Sequence, residues 1–148
     1  MPSRPPPVLK TRYEDDKQEY AEANRLEKRW IKRLKGLKNK ISKNKLYIIT
    51  RRLSGVFDHL SMPGLYFIRE GYPHFTYVGD KPVIVFVKNA SVEILLHEFA
   101  HYLVEARHDS AEGKYSQDHG PAFLGHLELL YQKYMEEVHD KKTVTKSK

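Results

Sequence analysis

The segment Leu95-Leu96-His97-Glu98-Phe99-Ala100-His101 decides how the rest of the chain is read. It contains HExxH inside an uninterrupted helical pattern, with Leu95, Phe99, Tyr102 and Leu103 opposite the histidine face and no proline between residues 92 and 107. On an α-helix, side chains four residues apart stand about 40° apart around the axis, so both imidazoles can reach one ion. Glu98 is displaced by about 100° from His97, poorly placed to ligate but well placed beside a water on that ion. The pattern is that of zinc with a carboxylate general base.

A third ligand must come from elsewhere, and three residues compete. His108 lies seven residues beyond His101, about 10 Å along a continuing helix, and no glycine breaks that helix first. The metzincin spacing places its third histidine where this chain has Arg107. Glu128, on the last helix, is the gluzincin-like candidate. His119, in Asp118-His-Gly-Pro-Ala-Phe123, ranks ahead of both, because Gly120 frees the backbone and Pro121 opens a helix that anchors the preceding residues.

Outward from this helix, three short strand candidates precede it: Leu65–Arg69, Phe75–Val78 and Val83–Val87, separated by Gly71-Tyr-Pro73 and Gly79-Asp-Lys-Pro82. Such tight spacing predicts antiparallel pairing, since a parallel pair needs a crossover of about a dozen residues. Asn89 or Ser91 caps the helix Val92–Arg107. A loop follows over His108–Asp118, then a helix with Phe123, Leu127, Leu130, Tyr134 and Val138 on one face. Leu46–Leu60 reads as a short strand or a second helix. Tyr20, Ala23, Leu26, Trp30, Leu34, Leu37 and Ile41 form one apolar stripe on an N-terminal helix, with acidic residues crowding its start and basic residues its end. The fold class is therefore α+β. Residues 1–12, with four prolines, read as a disordered leader, 13–140 as one domain and 141–148 as a disordered tail.

The 148 residues include no cysteine, which excludes disulfides, thiolate zinc sites, iron–sulfur clusters and cysteine nucleophiles. Any transition metal must be held by His, Asp or Glu. The longest apolar run, Val83–Val87, is far short of the ~20 residues of a spanning helix, and no signal-peptide core is visible, so a cytoplasmic protein without membrane partners is expected. Lys and Arg number 26 against 19 Asp and Glu, a formal charge of +7. Lys28–Arg52 holds eleven of the basic residues and no acidic one, so all of the excess lies there. That stretch is either a solvated face or a surface for nucleic-acid phosphates.

HEFAH at His97–His101, then a loop, then HGPAF at His119–Phe123 followed by His126, closely resembles the SprT-like metallopeptidases, the family that includes the Spartan DNA–protein crosslink proteases. The resemblance spans roughly Val83–Tyr134. It implies a small zincin-like fold, with helices packed on a three-stranded sheet and the active-site helix following the sheet's edge strand, here Val83–Val87. It implies zinc at His97, His101 and His119, with Glu98 as general base. Seventeen residues separate His101 from His119, a wider gap than in Spartan, and the cysteine zinc ribbon of many SprT relatives is impossible here.

The expected activity is hydrolysis of peptide bonds by a zinc-activated water, on protein or peptide substrates, with DNA-bound proteins as one class reached through Lys28–Arg52. The alternatives are a nucleic-acid-binding protein with a structural or vestigial zincin site, and a zinc hydrolase of a non-peptide bond. Asp118 and Glu105 are candidates for orienting a ligand imidazole, Tyr115 for an oxyanion contact and His126 for a second site contact. Tyr102 and Trp30 read as core residues, and His59, His74 and His139 as surface residues.

Overall fold

A computed structural model of the chain describes residues 21–57, 60–106 and 121–139; the expected leader, tail and loop 108–118 lie outside them. The elements run α1 (21–33), α2 (Lys43–Val56), β1 (Gly64–Phe67), β2 (His74–Val78), β3 (Lys81–Phe86), α3 (Val92–Ala106) and α4 (Pro121–Tyr134), closing on a π-helical turn, Met135–His139. The class is α+β. No helix among the described residues is long and apolar enough to cross a membrane.

Packing centres on α3. Val92, Leu95, Leu96, Phe99, Ala100, Tyr102, Leu103 and Val104 are each below 5% exposed, which leaves this helix almost no solvent face. Each large apolar side chain so buried contributes about 1.5–3 kcal/mol. The helix packs on β2 and β3 on one side and on α2 and α4 on the other. Ser91 caps it, its hydroxyl accepting from the Ile94 amide at 3.3 Å. Tyr102, a core ring as expected, donates its hydroxyl to Ser61 O at 2.6 Å.

The apolar stripe at the N-terminus outlasts its helix. Gly36 adopts φ 87°, a left-handed conformation that breaks the helix after residue 33. Leu34 and Leu37 remain buried beyond that break. The segment is instead tied to the head of α3: the Glu93 amide donates to Leu37 O and the Ile41 amide to Ala90 O, each at 3.0 Å. The ambiguous stretch after it is helical. Ser42 caps α2 by accepting from the Lys45 amide at 3.2 Å, and Leu46, Ile49 and Leu53 repeat at helical steps on its buried face.

The sheet is mixed rather than antiparallel, in the order β1-β3-β2. β2 and β3 form an antiparallel hairpin closed by Gly79-Asp80, with Val78 opposite Lys81 and Gly79 at φ 66° as such a tight turn demands. β1 lies parallel to β3, with Leu65 opposite Ile84. The crossover that a parallel pair requires is supplied by β2 itself and its flanking turns, so no helix is needed between them. This makes β3 the central strand and corrects its reading as the edge. Its run Pro82–Phe86 is buried without alternation, the signature of a strand covered on both faces. The half-exposed β2 is the outer strand beside it.

One buried polar atom stands out on α4. The Tyr131 ring is fully buried and stacks on Trp30 with centroids 5.6 Å apart, but its hydroxyl finds no hydrogen-bond partner among the described residues. Burial pushes that phenol far above its usual range. Tyr131→Phe keeps the stacked ring and removes the orphaned group, so it should stabilise the protein by on the order of 1 kcal/mol. The matching rise in melting temperature, about 2–4 °C for a domain of this size, is read by calorimetry; a fall would show that the hydroxyl is satisfied.

Candidate metal centre

α3 turns His97 and His101 to one face, one helical turn apart, with ring centroids 5.2 Å apart. Phe123, two residues into α4, lies against both rings, at 5.0 Å from His97 and 4.5 Å from His101. The HGPAF segment thus contributes to the site through its phenylalanine. His119 of the same segment lies outside the described residues, as do His108, Tyr115 and Asp118. Among the described residues, no three His, Cys, Asp or Glu side chains are grouped to hold a metal ion.

The two imidazoles and Glu98 line a cleft of about 550 Å³ between α1, α3 and the entry to β2. Its other walls include Asn24 and Glu27 from α1, Glu93 and Ile94 from α3, and Tyr72, Pro73 and His74 ahead of and at the start of β2. His74, read as a surface residue, is therefore part of the site. Its Nδ1–H donates to Tyr72 O at 2.9 Å.

Glu98 is 8% exposed, and burial raises its carboxyl above the ordinary carboxylate range. His97 and His74 pull it down, Glu27 pushes it up, and the Phe75 amide donates to the carboxylate and favours its charged form. The net upward displacement suits a group that must both take and return a proton near neutrality.

The contact that sequence reasoning missed comes from α1. Glu27, 6% exposed, places Oε2 at 3.0 Å from His97 Nδ1. Burial alone would lower the His97 pKa, but the Glu27 hydrogen bond and charge, with Glu98 and Glu93, outweigh it and raise the imidazole above its ordinary value. A signal was present: Glu27 interrupts the apolar stripe between Ala23 and Trp30, where an acidic residue is buried only with a partner.

The remaining candidates sort clearly. Glu128 is engaged elsewhere, accepting from Trp30 Nε1 at 3.1 Å and pairing with Arg29 at 3.5 Å. Glu105 is not among the cleft's lining residues; burial, with the charge of Glu105, raises the Tyr77 phenol. His126, half-buried on α4, is likewise not among the cleft's lining residues.

The donor chemistry fits zinc. Two imidazoles share a helix face, one of them hydrogen-bonded through Nδ1 to a carboxylate, and thiolates are absent from the chain. Compared with protein-family models, curated proteins and solved structures, the chain matches none.

Phe123 is 1% exposed and supports both rings. Phe123→Ala should cost about 3–5 kcal/mol through the cavity it opens between α3 and α4. A shift of the denaturant midpoint measures this, and a loss below 1 kcal/mol would mean that the site collapses around the gap.

Proposed function

We propose that the chain is a zinc-dependent metallopeptidase of the SprT-like, zincin type, with His97, His101 and His119 as ligands and Glu98 as general base. The observation that carries this reading is the pair of imidazoles one turn apart on a buried helix, facing a cleft beside a buried carboxyl. The zincin-like fold and the role of His119 rest on the resemblance of HEFAH and HGPAF to the SprT-like motifs.

Zinc, when bound, supplies a Lewis acid for the scissile carbonyl and a water acidified toward a pKa of ~7. Glu98 takes the proton of the attacking water on a carboxylate oxygen and returns it to the departing amine nitrogen. Its burial favours the protonated form between those two events. An extended peptide is held by β2, whose outer edge pairs with no strand among the described residues and whose first residue, His74, lines the cleft. This assigns to β2 the substrate-binding role expected of Val83–Val87.

Glu98→Gln should retain zinc and lose roughly 10²–10⁴-fold in peptide turnover. Metal analysis of that variant beside His119→Ala separates base from ligand: retained zinc in the first and lost zinc in the second is the expected pair. Full zinc content in His119→Ala would remove it from the ligand set.

A specific observation favours DNA-bound proteins as the substrate class. All eleven basic residues of Lys28–Arg52 are exposed. On the far side of α1 from the cleft, Arg25, Lys28, Arg29, Lys32 and Lys38 flank a groove of about 840 Å³. Duplex DNA bound there should lose roughly 10³-fold in affinity between about 50 and 200 mM salt, for about six phosphate contacts. A flat salt dependence in a binding titration would sever the basic stretch from the activity.

A further inference from the structure

We infer that Glu27 is a positioning residue of the metal centre: through its hydrogen bond to His97 Nδ1 it orients the ring and presents Nε2 to the ion, making α1 part of the site. This rests on the zinc reading above and deepens it.

The geometry is direct. Glu27 Oε2 lies 3.0 Å from His97 Nδ1, across a sequence separation of 70 residues. A carboxylate oxygen can only accept, so Nδ1 carries the hydrogen, and the neutral ring is then the tautomer that can ligate through Nε2. Phe123 lies against the ring edge-on at 61°, which restricts its rotation from another side. With Nδ1 held and the ring braced, the direction of Nε2 is set before any ion arrives, and such outer carboxylates also raise the basicity of the ligand they hold.

Energetics argue against a purely structural role. Glu27 occupies the seam of Ala23, Leu26 and Trp30, all at or below 8% exposed. Packed apolar residues in place of both Glu27 and His97 would stabilise the fold as much as the buried pair does or more. A second carboxylate, Glu93, lines the same cleft, so Glu27 also sits in like-charge company. A divalent cation beside His97 offsets that accumulation of negative charge.

The test uses the full chain and its Glu27→Gln and Glu27→Ala variants. Zinc affinity is measured by competition with a chromogenic chelator, ligand geometry from the visible spectrum of the cobalt-substituted protein, and fold from the melting temperature without metal. Glu27→Ala should weaken zinc binding roughly 10–100-fold and alter the cobalt spectrum. Glu27→Gln, whose amide oxygen still accepts from Nδ1–H but lacks the charge, should fall between it and the wild type. Metal-free, Glu27→Ala should melt below the wild type, because it leaves the His97 ring without its partner, whereas Glu27→Gln, which keeps an acceptor, should melt near it. If both variants bind zinc as tightly as wild type with the same spectrum, Glu27 is not a positioning residue, while the peptidase reading stands. If the wild-type chain itself takes up neither zinc nor cobalt, that reading falls and takes this inference with it.

Discussion

Everything in the molecule depends on a helix that is buried on almost every side and yet must carry charge. α3 places eight apolar side chains in the core and, among them, the His101 imidazole and the Glu98 carboxyl, with the half-buried His97 beside them. Buried polar groups are tolerated only when partnered, because a lost partner exposes the full desolvation penalty. Each partner therefore has to be delivered by another element. Glu27 arrives from α1, the Phe75 amide from β2, and the ring of Phe123 from α4. The cleft is a consequence of this convergence: it lies where elements brought together for polar satisfaction leave space between them.

The sheet serves the same end. Its hairpin puts the outer strand β2, with His74 at its head, at the cleft, and seals the apolar run Pro82–Phe86 of β3 between two neighbours. The opposite arrangement, with Val83–Phe86 on the outside, would expose an apolar strand edge prone to pairing with other chains. The polar alternation of His74, Thr76 and the residues between them makes β2 the strand that tolerates exposure.

Much of this was legible in the sequence. The HExxH spacing located the helix and the face its histidines share, and Pro121 marked the start of α4. Burial along α1 and α4 followed the apolar stripes. What escaped was non-local. Whether β3 pairs on one side or two depends on where β1 lies, yet its unbroken apolar run, read strictly, already indicated two covered faces. Glu27 was visible as an acidic residue on an apolar seam, but its partner lies 70 residues away and no local pattern names it. His74 lacks any spacing relation to the motif, since a loop and a strand bring it to the cleft. Glu105 lies one turn beyond His101 yet is not among the residues lining the cleft.

The contacts that define the cleft also set the order in which it can be built. His97 waits for Glu27, and Trp30 for Glu128, across separations of 70 and 98 residues. Chains emerge from the ribosome N-terminus first and close distant contacts late. α1 is therefore made well before α3, and the Glu27 carboxylate stays in water until His97 reaches it.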